Sequence, residues 1–160
     1  MFKKLLAPAL VAFTLIAASG VASAEELSKG STEALIYGGG LTDDLGGTFG
    51  AGLGYAVTSK VQAVGELGFI SASGLHGFEF GLNGHFLLST KNAKLTPYGL
   101  AGLGIIHVAN GGSTRGGLNL GGGARWQAGT NWGIVPEFKF FVSNHTYARF
   151  TGGLYYTFGK

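Results

Sequence analysis

Polar and apolar residues alternate with a period of two along most of the chain. Clusters of Gly, Asn, Asp or Ser interrupt this alternation at intervals of roughly ten to fifteen residues, as expected for successive antiparallel strands. No helical periodicity follows the N-terminal region. The pattern predicts eight strands, with approximate bounds Glu33 to Leu41, Thr48 to Val57, Lys60 to Ile70, His76 to Leu88, Leu95 to Val108, Arg115 to Ala128, Trp132 to Val142 and Thr146 to Phe158.

The fourth strand shows how the alternation separates two faces. Its even-numbered residues from Phe78 to Leu88 are apolar or glycine, while Glu79, Asn83 and His85 lie on the opposite face. The sixth, seventh and eighth strands follow the same rule. These patterns predict a closed up-and-down antiparallel β-barrel with one apolar and one mostly polar face, most simply with eight strands. Six or ten strands stay open as alternatives, because the first strand is weakly patterned.

Alternation alone does not distinguish a membrane barrel from a soluble lipocalin-like barrel with an apolar interior. The charges on the polar face favour the membrane barrel, because they are few and nearly cancel, as a narrow interior of paired ions requires. The predicted interior charge network consists of Glu66, Glu79, Arg125, Glu137, Lys139 and Arg149.

Aromatic residues on the apolar face fall at two levels, as in the aromatic girdles at the two membrane interfaces. The level at the end of the tight turns, which we assign to the periplasmic side, is predicted to contain Tyr55, Phe86, Tyr98, Trp126, Trp132, Tyr156 and Phe158. The opposite level is predicted to contain Phe49, Phe69, Phe78, Phe140 and Phe150. The connections at both ends are expected to be short.

The N-terminal segment has the layout of a secretory signal peptide. Lys3 and Lys4 precede an apolar run from Leu5 to Ala18, and small residues follow up to Ala24. We expect cleavage after Ala24, which divides the chain into a signal peptide, residues 1–24, and one barrel domain, residues 25–160. No later stretch has the length of a transmembrane helix.

Composition excludes several classes of function. Only 12% of the residues are charged and 31 are glycine, which leaves too few charges for the surface of an ordinary soluble domain. Without Lys3 and Lys4 the basic residues nearly balance the acidic ones, and no basic cluster is present, so nucleic acid is not an expected partner. The absence of cysteine excludes disulfides, thiolate metal sites and a cysteine nucleophile.

Three segments resemble the small eight-stranded outer-membrane barrels of the OmpA and OmpX type. They are Thr96 to Gly104, Leu120 to Trp126 followed by Gly129 to Trp132, and Pro136 to Phe140. The resemblance implies insertion into a bacterial outer membrane from the periplasm, and roles that range from envelope structure to adhesion. Family members usually end on an outward aromatic residue that the assembly machinery reads. Phe158 fits this rule, although Gly159 and Lys160 follow it.

Candidate sites for chemistry are weak. The glycine runs do not complete a phosphate-binding motif, and the four histidines have no metal-site spacing, so we expect no metal, no cofactor and no catalytic residue. His85 and His107 are predicted to face the interior. Asp43 and Asp44 are read as solvated loop residues.

An enzyme reading is the least favoured of the functional alternatives. His145 and Thr146 near Glu137 distantly resemble the site of lipid A deacylases, but the nucleophilic serine is missing at that position.

The expected function is therefore an integral outer-membrane barrel with an envelope-structural or surface-interaction role and no catalysis. A narrow passive pore is the alternative, followed by a lipid A-modifying enzyme or a soluble periplasmic carrier. Expected partners are outer-membrane lipid, lipopolysaccharide and the outer-membrane assembly machinery, with the protein as a monomer.

Two features conflict with the simplest pattern. Pro136 lies inside the seventh strand and predicts a β-bulge there, because proline lacks the backbone N–H that a ladder needs. The fifth strand places Leu103 and Ile105 on the face assigned to the interior.

Overall fold

The computed structural model describes residues 27–42, 46–72, 75–90, 94–109 and 112–159. The predicted signal peptide, residues 1–24, and the loop acids Asp43 and Asp44 lie outside the described residues. Within the part of the chain that is described, no helix is long and apolar enough to cross a membrane.

Eight antiparallel strands form a closed barrel in sequence order, which confirms the predicted fold class. Each strand pairs with its neighbours in the chain, and the first closes the barrel against the last, with Thr32 opposite Phe158. The strands are β1 (Thr32–Leu41), β2 (Gly47–Ala56), β3 (Val61–Ala72), β4 (Leu75–Leu87), β5 (Leu95–Val108), β6 (Ser113–Gln127), β7 (Trp132–Val142) and β8 (Tyr147–Phe158).

The barrel has the reverse polarity of a soluble domain. Large apolar side chains cover its outer face, and Leu53, for example, is 66% exposed. The inside is largely polar, and Arg149 and Lys139 are each only 1% exposed. A water-soluble protein rarely exposes so continuous an apolar surface. The apolar face of the alternation therefore points outward, and the lipocalin-like arrangement with an apolar interior is not the one observed.

Tyr98 does not belong to the outer aromatic girdle, and this part of the prediction is wrong. Its side chain is 2% exposed and points into the barrel, where its hydroxyl donates a hydrogen bond to Glu137 Oε2 over 2.8 Å. The phenol ring suits either face, because it combines a large apolar surface with one polar atom that needs a partner when buried.

The whole of β5 has the opposite orientation to the predicted one. Leu103 is 63% exposed, and Ile105 and His107 are also exposed, although all three were predicted to face the interior. Leu100 and Ile106, in contrast, are buried inside. Because β5 carries large apolar residues on both faces, alternation of polarity cannot identify its outer face.

Pro136 causes no bulge, contrary to the prediction. Gly123 pairs with Glu137 and Trp126 with Ile134, so two residues lie between these pairs on each strand and the register is unchanged. The ladder between β6 and β7 is interrupted at that point, whereas Pro136 keeps its place opposite Gly152 in the ladder between β7 and β8. The missing N–H thus interrupts local pairing without adding a residue.

The start of β1 and the end of β8 lie at one end of the barrel, which we call the end of the termini, together with the connections 57–60, 88–94 and 128–131. The other end carries the connections 42–46, 73–74, 109–112 and 143–146. The first end has the longest of these seven connections, residues 88–94. No connection is longer than seven residues.

Candidate functional site: the charged interior of the barrel

Arg149 lies at the centre of the barrel interior and contacts four other strands. Its guanidinium donates to Tyr37 Oη over 3.2 Å, to Glu79 Oε2 over 3.3 Å, to Glu66 Oε2 over 3.0 Å and to Glu137 Oε1 over 3.1 Å. It also stacks over the Tyr37 ring, 4.5 Å from the centroid. A planar group with five donors is suited to such a multiple role. Arg149 thereby links β8 to β1, β3, β4 and β7.

Lys139 completes the same layer from β7. Its ammonium lies 2.9 Å from Glu66 Oε2 and 2.7 Å from Glu79 Oε1. Five of the six residues predicted for the interior charge network therefore meet in one cluster. We name this set the central ion cluster; it comprises Glu66, Glu79, Glu137, Lys139 and Arg149.

Arg125, the sixth predicted residue, forms a separate pair nearer the end that carries the termini. Its guanidinium makes a two-point contact with the carboxylate of Glu33, donates to Gln62 Oε1 over 3.3 Å, and lies 4.2 Å from the centre of the Tyr155 ring. Bidentate pairing satisfies both buried charges. This second layer is held by β1, β3, β6 and β8.

Sequence reasoning missed several residues of the interior. The predicted charge network does not include Glu33, although this residue shares its face with Leu35 and Tyr37. Asn83 and Asn119 fall on the polar face in the sequence pattern, but their pairing is not predicted; Asn119 Nδ2 donates to Asn83 Oδ1 over 2.8 Å. The odd or even position of each of these residues in its strand is sufficient to assign it to the interior face. The hydrogen-bond partner of each residue depends on how the barrel closes, and the local sequence pattern does not predict it.

Interior glycines make room for the large interior side chains. A Cβ atom added to Gly50 or Gly68 would lie 2.5 or 2.7 Å from the Tyr37 hydroxyl, and one added to Gly123 would lie 2.7 Å from that of Tyr98. Such separations are below van der Waals contact. Each ring thus occupies space that an opposing or neighbouring strand leaves open, so the interior is filled by side chains, as in other eight-stranded barrels.

The mouth opposite the termini is more apolar than the centre. A cavity of about 330 Å³ opens there, lined by Leu41, Ile70, His76, Gly77, Ile106, Val108, Arg115, Phe141, His145 and Tyr147. Both Arg115 and His145 are exposed at its rim. The central ion cluster lies below this cavity, deeper in the barrel.

Six of the seven aromatics predicted for the girdle at the terminal end are exposed on the outer face: Tyr55, Phe86, Trp126, Trp132, Tyr156 and Phe158. At the other level Phe69 contacts Phe49 and Phe78, with ring centroids 5.4 and 5.5 Å apart. Aromatic contacts therefore run across neighbouring strands on the outer surface.

The residues considered for lipid A chemistry occupy different environments. Glu137 is buried and contacts Arg149 and Tyr98, whereas His145 is exposed in the connection between β7 and β8. Glu137 is thus committed to the interior cluster.

No protein-family model and no curated protein matches this chain in sequence. Solved structures do match its fold. The N-terminal β-barrel domain of Pseudomonas aeruginosa OprF superposes with a TM-score of 0.74 at 19% identity, over 82% of this chain and 100% of that one.

Two other outer-membrane barrels are similar. Neisserial surface protein A gives a TM-score of 0.63 at 14% identity, covering 80% of this chain and 96% of that one. Ail, the attachment invasion locus protein of Yersinia pestis, gives 0.58 at 14% identity, covering 82% and 100%. At such identities the likeness establishes the fold, which is that of small eight-stranded outer-membrane barrels, as the resemblance implied.

Proposed function

We propose that this chain is an integral protein of a bacterial outer membrane, with its apolar outer face against lipid. Its role there is structural or one of surface contact, without catalysis. The observation that supports this most directly is the central ion cluster, which fills the middle of the barrel with buried, mutually paired side chains. Because the charged interior side chains pair with one another, we expect the protein to act through its surface.

The fold neighbours support surface contact as the first role to test. Ail is described as an attachment invasion locus protein, and one of its structures is a complex with the heparin analogue sucrose octasulfate. In this chain the described charged and histidine side chains exposed near the mouth opposite the termini are Arg115, His76, His107 and His145. Fold alone does not transmit function, so this likeness guides the experiment only.

A narrow pore is the second candidate. It is favoured by the central ion cluster, because ionic side chains can exchange their pairing partners. Packed apolar side chains cannot rearrange in this way. Eight strands leave an interior only just wide enough for side chains, which favours the closed state.

Reconstitution tests these candidates against one another. The refolded protein should give no steady conductance in planar bilayers. Lipopolysaccharide in vesicles that contain the protein should keep its mass. Deletion of the gene should sensitise the envelope of the source bacterium to detergent, with rescue by the wild-type gene. A steady open current would establish the pore instead, and loss of an acyl chain from the lipid would establish an enzyme.

A further inference from the structure

Glu66, His85 and Glu137 meet inside the barrel from three strands, β3, β4 and β7. One possible ligand atom from each residue lies within 4.8 Å of those of the other two. The side chains are deeply buried, with 2, 3 and 8% of their residues' surface exposed, respectively. Such a group of one imidazole and two carboxylates is unusual in an interior otherwise arranged in ion pairs.

Two of these side chains carry a buried polar atom without a hydrogen-bond partner among the described residues. They are Glu66 Oε1 and His85 Nε2. His85 Nε2 lies 3.9 Å from Glu137 Oε2, which is too far for a hydrogen bond. Buried polar atoms are nearly always satisfied, so two unpaired ones within this group of three residues indicate a missing partner.

The remaining oxygens of the two carboxylates are held by the cations of the central ion cluster. Lys139 and Arg149 both contact Glu66 Oε2, and Arg149 contacts Glu137 Oε1. Glu137 therefore turns one oxygen toward Arg149 and the other toward His85, while Glu66 Oε1 has no hydrogen-bond partner among the described residues. Glu137 Oε2 accepts from Tyr98, whose ring stacks on His85 with centroids 4.5 Å apart. Such outer contacts are typical of those that orient metal ligands.

The central ion cluster also carries an excess of negative charge. It contains three carboxylates and two cations, which leaves one negative charge uncompensated. The Arg125 and Glu33 pair is neutral by itself and does not supply the balance. This excess of carboxylates attracts a positive ion, and one bound divalent cation would change the sum of formal charges from −1 to +1.

We infer that Glu66, His85 and Glu137 form a binding site for one divalent transition-metal cation of the zinc type. One imidazole nitrogen with two carboxylate oxygens matches the ligands that such ions take, whereas calcium and magnesium favour oxygen alone. Tetrahedral zinc with bonds of about 2.0 Å needs ligand atoms about 3.3 Å apart. The ligand atoms lie within 4.8 Å of one another, with His85 Nε2 and Glu137 Oε2 at 3.9 Å, so metal binding requires the side chains to move closer together.

The bound ion would link β3 and β4 to β7 across the interior. Because the ligands are buried, loading is expected during folding, and the metal should be present when the chain refolds. A ligand that binds only the folded state raises its stability, so zinc should also raise the urea concentration at which the barrel unfolds.

The test is to refold the full chain from urea into detergent micelles with Zn²⁺, to remove free metal by desalting, and to count bound zinc by elemental mass spectrometry. The matched variants are His85→Gln and His107→Gln, since His107 is exposed on the outer face. We expect about one zinc per chain in the wild type and in His107→Gln, and at least a tenfold lower zinc content in His85→Gln.

A second variant keeps the inference testable if His85→Gln fails to fold. The triple variant His76→Gln, His107→Gln, His145→Gln retains only His85 and alters only side chains outside the buried centre. It should still bind one zinc, and Co²⁺ in its place should give the visible absorption of a four-coordinate ion. Absence of retained zinc in the wild type, loss of zinc in the triple variant, or full retention in a folded His85→Gln protein would each overturn the inference.

Discussion

At the scale of single residues, Arg149 connects its own strand to four others. Its four hydrogen bonds reach Tyr37, Glu66, Glu79 and Glu137, which belong to four other strands. Removing one partner of a buried ion pair is more harmful than replacing the whole pair, because the remaining charge stays buried and uncompensated. Three carboxylates contact Arg149, and Lys139 also contacts two of them, Glu66 and Glu79.

Arg149→Met should therefore lower the free energy of unfolding by about 3–5 kcal/mol. Urea unfolding of the refolded protein in micelles, followed by tryptophan fluorescence, measures the change. Arg115→Met is the control, because Arg115 is exposed at the mouth and its loss should change stability by no more than about 0.5 kcal/mol. Equal effects of the two substitutions would contradict the central role of Arg149.

At the scale of elements, the alternation of polarity predicts those strands in which the two faces differ. In β4 the contrast between Phe78 or Phe80 and Glu79 or Asn83 is sufficient. In β5 it is not, because Leu100 and Ile106 inside match Leu103 and Ile105 outside in hydrophobicity. Only the pairing with β4 and β6, a long-range property, determines which face of β5 points outward.

Spin labelling tests the orientation of β5 directly, since the chain has no native cysteine. A nitroxide on Leu103→Cys should be accessible to oxygen dissolved in lipid, whereas one on Leu100→Cys should be immobilised and shielded. The accessible label reports the apolar outer face, and the shielded one reports the filled interior. The reverse pattern would restore the orientation that the sequence alone predicts and refute the observed one.

The candidate site shows the same division between what pattern can and cannot predict. Parity places Glu66, Glu79, Glu137, Lys139 and Arg149 on interior faces, and all five are found there. The convergence of Glu66, His85 and Glu137 depends on barrel closure, which brings β7 opposite β3 and β4. The spacing of the three residues along the chain does not reveal that they lie close together, so a search for metal-ligand motifs in the sequence finds nothing.

At the scale of the whole molecule, a polar, ion-paired interior inside an apolar wall accounts for the composition. The wall needs few charges, because lipid covers it, and the interior tolerates only charges that pair. Glycines are numerous because large interior side chains such as Tyr37 and Tyr98 lie against them. Closure of the barrel removes every exposed strand edge, which a membrane-spanning sheet requires.

The most direct test of this account is the mobility of the membrane-extracted protein on a denaturing gel with and without boiling. A closed barrel that is hydrogen-bonded around its whole circumference should resist the detergent until heated. We predict an outer-membrane protein whose unboiled and boiled forms migrate differently. Identical mobility of both samples, with the protein recovered from the soluble periplasm, would contradict the closed membrane barrel and the lipid-facing assignment of its apolar wall.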